Sequence, residues 1–337
     1  MRETHIQPPR IEFLYTNIGR GHPSYLDGII EALVRRGGIG LVRGETDVFA
    51  VSSGLSKLAW RLARGLYRIG SSGGPGGRLY NRLRNDADYN RPGVMLRLLG
   101  RSITRTYMSR PWPLVVAHPI LVAILKGKQQ LIYQHGEPAA PSESLVRGAS
   151  RVLAPTEETA RAFVKSGYAP EDVVVTGLCI ELSLVRQAED AYESRMERLR
   201  SKEGRTGAFF SSGAEPKLHV KMLTSAIESI VRSGGRAIVF AQRGGRFQRA
   251  AVACFERRGL RFSILDDREP MALKPDVISV VTFVSRRELT HRTAQFFPEF
   301  DYFVAPAHER SNWALGLGLP MFIVGPEIGS FAPLNRE

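Results

Sequence analysis

The chain has 337 residues, enough for two domains of ordinary size. Two cysteines are too few for a disulfide framework or a cysteine metal cluster, and they set a reducing cytoplasm as the expected compartment. The formal charge of +14 calls for an anionic partner: a membrane surface, a nucleic acid or a phosphorylated substrate. No uninterrupted apolar stretch is long enough to span a bilayer, and Met1-Arg2-Glu3-Thr4-His5 with Pro8-Pro9 lacks the apolar core of a signal peptide.

The first predicted unit is a strand at 11–16, a turn Gly19-Arg20-Gly21-His22 and a helix within 24–36. Glycines let the backbone approach a ligand closely, and free N–H groups at the start of the helix favour an anion. The same positive end disfavours imidazolium, so His22 is expected neutral and able to accept a proton. A strand is predicted at 46–51. Beyond it the charge concentrates: twelve Lys/Arg and two acids, Asp86 and Asp88, lie between Lys57 and Arg110. Leu55, Leu58, Ala59, Leu62, Leu66 and Ile69 repeat at helical spacing. Lys57, Arg61, Arg64 and Arg68 occupy another face, with Trp60 and Tyr67 near the boundary. That is the pattern of a basic amphipathic helix at a membrane surface. A glycine-rich loop, Ser71–Gly77, separates it from a second basic-apolar stretch with Leu96, Leu98, Leu99, Arg97, Arg101 and Arg105. No helix-turn-helix, zinc-finger or RNP pattern supports a specific nucleic-acid partner.

Buried-strand runs follow at 113–117, 130–134, 151–154 and 173–176, with a helix at 157–167. Residues 186–206 are highly charged and read as a connector between an N-terminal domain, 1–185, and a C-terminal domain, 207–337. A new cycle starts with a strand into Ser211-Ser212-Gly213 and a helix over 217–232. Strands are predicted at 236–241, 261–264, 277–281, 301–305 and 320–324. The expected fold class is therefore α/β: two doubly wound Rossmann-like domains facing a cleft at the carboxyl ends of their strands. Ser212 and Gly213 offer backbone N–H groups to a phosphate, and Arg243, after the next strand, offers a guanidinium. His308, Glu309, Arg310, Ser311 and Asn312 form a dense polar cluster after the strand ending at Pro306.

Four motifs in order resemble the GT-B glycosyltransferases, nearest the monogalactosyldiacylglycerol synthases and the lipid-linked N-acetylglucosaminyltransferase of peptidoglycan synthesis. They are Gly19-Arg20-Gly21-His22, Val115-Val116-Ala117-His118-Pro119, Val173-Val174-Val175-Thr176-Gly177 and Ala314–Pro320. Val281-Thr282-Phe283-Val284 resembles the family segment whose backbone reads the nucleotide base. Two features depart from the family. Trp313 stands where the family has a glutamate that binds the ribose, with Glu309 one turn earlier, and the chain stops at Glu337, short of the family's terminal helix.

The resemblance implies inverting, metal-independent hexosyl transfer from a nucleotide-diphosphate sugar, most readily a UDP-sugar, to a hydroxyl of a lipid or cell-envelope precursor. It also implies a cytoplasmic protein, peripheral at the inner face of the membrane. The sequence shows no metal pattern and calls for no cofactor. His22 is the first candidate base and His118 the second. Gly21, Ser212, Gly213, Arg243, Phe283 and residues 308–312 are assigned to the donor. His135 and Glu137 are assigned to the acceptor side. A sugar-nucleotide 2-epimerase of the same fold, and a catalytically silent membrane-bound relative, are the alternatives.

Overall fold

The computed structural model describes residues 10–18, 21–70, 88–91, 93–201, 204–266, 273–274, 277–328 and 331–336. The expectations for Gly19-Arg20, for the loop at 71–77 and for the turn at 267–270 lie outside the described residues.

Two six-stranded parallel sheets organise the chain. The first runs β2-β1-β3-β4-β5-β6, with β1 Ile11–Tyr15, β2 Val42–Asp47, β3 Leu114–Val116, β4 Leu131–Gln134, β5 Arg151–Ala154 and β6 Val173–Val175. The second runs β12-β11-β7-β8-β10-β9. Its strands are β7 Thr206–Phe210, β8 Arg236–Gln242, β9 Phe262–Leu265, β10 Ile278–Phe283, β11 Tyr302–Ala305 and β12 Met321–Ile323. This is the doubly wound α/β class expected from the alternating pattern. Successive strand residues point to opposite faces, and each sheet is buried on both. Leu14 and Val116 enter one core of the first sheet, Phe13 and Val115 the other. Phe210, Phe240 and Val281 enter one core of the second sheet, Phe209, Val239 and Val280 the other.

The strand expected at 46–51 lies four residues earlier. β2 is an edge strand of mixed polarity, and only one of its faces needs apolar residues. Asp47 then ends it: its carboxylate accepts the Phe49 N–H at 3.1 Å and caps a helical turn, Val48–Val51. The apolar run therefore goes into that turn and buries Val48. Trp60, expected at the edge of the basic face, is fully buried and donates its indole N–H to the Leu99 carbonyl at 3.0 Å.

The chain divides into compact units at Cys179/Ile180. The charged stretch at 186–206 contains a helix, Ala188–Ser201, packed on the second unit. Arg195 donates to the carbonyls of Phe300 and Gly318 at 3.2 and 3.1 Å, and Arg198 pairs with Asp301 at 2.9 Å. The charges at these positions are structural contacts, which is why their sequence shows little apolar periodicity.

Candidate functional site

In an open parallel sheet the ligand crevice lies where the strand order reverses, beyond the carboxyl ends of the strands. In the first sheet that point is between β1 and β3. The two loops leaving those strands carry His22 and His118. His22 lies in the first turn of α1, Gly21–Arg35, and His118 directly precedes the helix Pro119–Ile124. Their rings meet, with centroids 4.5 Å apart and planes at 52°.

The two imidazoles differ in what they can do. His118 Nδ1 accepts the Ile120 N–H at 3.2 Å and so caps its helix, while Pro119 brings no competing N–H. A nitrogen that accepts a hydrogen bond carries no proton, so the ring proton of neutral His118 is on Nε2. In that tautomer Nε2 carries the proton, and His118 has no ring lone pair left to accept one from a substrate. His118, assigned as a catalytic candidate alongside His22, is therefore suited to donate rather than to act as base.

Tyr25 flanks His22 with its ring edge-on at 6.3 Å, and its hydroxyl donates to Glu137 Oε1 at 2.5 Å in a buried contact. The Tyr25 ring lies flat over Gly136, where a Cβ would come within 2.1 Å of Tyr25 Cγ. His135 is buried. Its Nε2 donates to the Ala139 carbonyl at 2.9 Å, and its Nδ1 faces the Tyr133 hydroxyl at 3.3 Å. Burial lowers its pKa to about 4 and keeps it neutral. His135 and Glu137, expected to meet the acceptor, thus have polar groups engaged inside the unit, and Glu137 braces Tyr25 beside His22. Tyr25 and Gly136 were not singled out by sequence. The one cue was a glycine held between the two polar residues assigned to the acceptor.

In the second sheet the order reverses between β7 and β11. The loops leaving these strands are Ser211–Pro216 and Pro306–Arg310, which bring Ser211, Ser212 and Gly213 and the cluster at 308–312 to the same crevice. Arg310 is buried, with its guanidinium 4.5 Å from the ring centre of Phe210 and 5.2 Å from that of Trp313. Nη1 bonds Glu309 at 2.9 Å, while Nε has no partner. The Ser311 hydroxyl is also buried without a partner, and Asn312 is fully buried. Trp313, at the position of the family's glutamate, donates its indole N–H to the buried carboxylate of Glu181 at 2.9 Å. Glu309, one turn earlier, pairs with Arg310 through Oε1.

Glu215 was missed by sequence and controls the neighbouring turn. Its backbone is left-handed, with φ 47°. Its carboxylate accepts the N–H groups of Arg246 at 2.5 Å and Phe247 at 3.1 Å, at the start of the helix Arg246–Arg258. Arg246 in turn donates to the Glu215 carbonyl at 2.6 Å. The positive end of this helix is thus filled by the chain's own carboxylate, and a Cβ at Gly245 would lie 2.8 Å from that carboxylate. The turn at 243–245 does not offer its helix N-terminus to an outside anion, and Arg243, assigned to the diphosphate, is an exposed side chain in it. The Glu215 N–H also donates to the Ser212 carbonyl at 3.2 Å, which shapes the Ser212-Gly213 turn.

Phe283 ends β10, and its side chain is buried. Its carbonyl accepts the Arg243 N–H at 2.8 Å, and the Val284 N–H goes to Glu288 at 2.7 Å. Backbone groups expected to read a base are engaged within the unit, where Ser285 and Glu288 cap the helix Arg286–Phe296. Among the described residues, no group of three His, Cys, Asp or Glu is placed to hold a metal ion.

No family model matches the chain, and no curated protein matches it. Solved structures match over nearly its whole length. A UDP-GlcNAc 2-epimerase from Neisseria meningitidis bound to UDP-GlcNAc shares 10% identity and a TM-score of 0.52, covering 97% of this chain and 85% of that chain. The S. aureus MnaA–UDP co-structure shares 10% identity and a TM-score of 0.53, covering 94% and 80%. A Listeria monocytogenes protein, provisionally assigned as a UDP-N-acetylglucosamine 2-epimerase, shares 11% identity and a TM-score of 0.52, covering 94% and 79%. These likenesses establish a GT-B-like fold of two doubly wound domains.

Proposed function

We propose that the chain is an enzyme acting on a nucleotide-diphosphate sugar, and that it epimerises the sugar at C2. The observation that carries this reading is the match of both domains to structures determined with UDP-GlcNAc or UDP. The crevice chemistry fits. Inversion at C2 can proceed by loss of the C2 proton as the diphosphate leaves C1, the C2–H electron pair forming a C1=C2 double bond. The diphosphate then returns to C1 and a proton to the opposite face of C2. This needs a base, an acid and donors that hold the departed diphosphate. His22 is the candidate base at the first switch point, with the His118 Nε2–H beside it as donor. At the second switch point, Ser212, Gly213 and the half-satisfied Arg310 supply donors for the diphosphate. His308, Ser311 and Asn312 are assigned to the same end of the ligand. Arg243 reaches the diphosphate only as an exposed side chain.

A second reading, inverting hexosyl transfer to a membrane-borne hydroxyl, is favoured by the exposed leucine and arginine rows on the first domain. That reading keeps the peripheral location at the inner membrane face and the likeness to galactolipid and peptidoglycan transferases. UDP-GlcNAc in deuterated water, followed by proton NMR, separates the two. Epimerisation predicts appearance of the C2 epimer with deuterium at C2 and no acceptor requirement. UDP release that depends on an added lipid acceptor, without C2 exchange, replaces it with transfer. Neither product in a preparation that binds UDP leaves the silent-relative alternative.

A further inference from the structure

The helix Gly54–Gly70 has three faces. Ser56, Ala59, Trp60 and Ala63 turn inward. Lys57 and Arg61 form an exposed basic row. Leu55, Leu58, Leu62 and Leu66, three or four residues apart, form a third face, and each is more than half exposed. The helix Val94–Tyr107 repeats the design. Leu99, Gly100, Ile103 and Tyr107 are buried, Val94, Met95 and Leu98 are exposed, and Arg97, Arg101 and Arg105 stand in an exposed row one turn apart. The two helices are fixed to each other. Ser56 Oγ and Trp60 Nε1 both donate to the Leu99 carbonyl, at 2.7 and 3.0 Å, and the Ser53 N–H donates to Ser102 Oγ at 3.1 Å. At their junction a groove of about 210 Å³ is lined by Ser53, Gly54, Arg101, Ser102, Arg105 and Thr106.

This surface does not need leucines to fold, because its cores are already filled on the opposite faces. Seven exposed aliphatic side chains on two adjoining helices form a patch that water does not favour. Between Asp47 and Glu137 the only acids are Asp86 and Asp88, so the field over the patch is basic. We propose that the two helices dock the protein on an anionic phospholipid surface. The leucines enter the acyl boundary, the arginine rows take headgroup phosphates, and the groove at Arg101 and Arg105 seats one of them. The chemistry favours lipid over nucleic acid. Aliphatic side chains give bases nothing to stack on, and the helix's tryptophan is sealed in the core.

The test is co-sedimentation of the full chain with phosphatidylcholine vesicles with and without phosphatidylglycerol. Binding is expected only to the anionic vesicles, and to fall with added sodium chloride. Replacing Arg97, Arg101 and Arg105 together with Gln weakens binding about a hundredfold, roughly fivefold per charge. Leu58→Gln with Leu62→Gln weakens it at least about tenfold. Both sets are exposed, so melting temperature stays unchanged and shows that the fold is intact. Turnover of a soluble UDP-sugar is read separately, so failure here and failure of the enzymatic reading are distinct results. Indifference to anionic vesicles at low salt overturns the proposal. So does vesicle binding that survives both sets of substitutions, or salt-dependent binding to duplex DNA or RNA while vesicles are ignored.

Discussion

His118 caps the helix it precedes through Nδ1, and that one bond decides what the residue can do. A general base needs a lone pair, and in this tautomer His118 has none to give, which leaves His22 as the candidate base of the ring pair. His22→Ala is therefore expected to lower turnover by about 10²–10⁴-fold, the usual worth of a positioned base, with UDP affinity nearly unchanged in calorimetry. The observed cap and the proposed donor role of His118 are separable. His118→Ala loses the cap, at about 1 kcal/mol, together with the Nε2 donor. His118→Asn restores a capping oxygen but not the donor. Urea midpoints that recover in the Asn variant while turnover stays low identify the donor role. Turnover that recovers with stability shows that His118 is only a cap.

At the scale of elements, an internal carboxylate sets the geometry of the second crevice. Glu215 ties the loop after β7 to the helix after β8, and it holds the Ser212 carbonyl through its own N–H. Glu215→Ala removes a capping carboxylate and is expected to cost about 1–2 kcal/mol of stability. It also loosens the Ser212-Gly213 turn, so UDP affinity falls with stability. Glu215→Gln keeps an acceptor for one N–H and lies between the two. Unchanged UDP affinity in the Ala variant would separate the turn from the ligand. The contact also shows what a sequence can reveal. Most strand positions, the helix over 217–232 and the loops bearing His22, His118, Ser212 and Arg310 were legible, because buried parallel strands are apolar runs and their carboxyl ends carry the polar residues. The Glu215 clamp, the burial of His135 and the internal use of Phe283 were not. Each depends on partners brought together by tertiary packing, and no local period records them. Edge strand β2 was misplaced for a related reason, since an edge needs only half the apolar pattern.

Across the whole molecule, two buried histidines couple the fold to pH. His135, held neutral by burial, has its pKa lowered to about 4, and burial lowers that of His219, which donates to the Pro326 carbonyl at 2.7 Å. The unfolded chain binds these protons first, so both contributions are complete above about pH 6.5 and are lost as pH falls toward the folded values. For His135 the loss is about 3 kcal/mol by pH 4. Urea unfolding between pH 7 and 4 should show this slope, and His135→Asn should flatten it. An unchanged slope would remove His135 as its source. On the proposed function the ligand is a nucleotide sugar, with His22 and His118 as candidate groups in the first domain and Arg310 in the second. Thermal unfolding with added UDP-GlcNAc tests this most directly. At a hundred times its Kd the ligand should stabilise the chain by about 2.7 kcal/mol, and the shift should shrink when Arg310 is replaced by Lys. An unfolding curve that neither UDP-GlcNAc nor UDP moves at millimolar concentration would contradict the account.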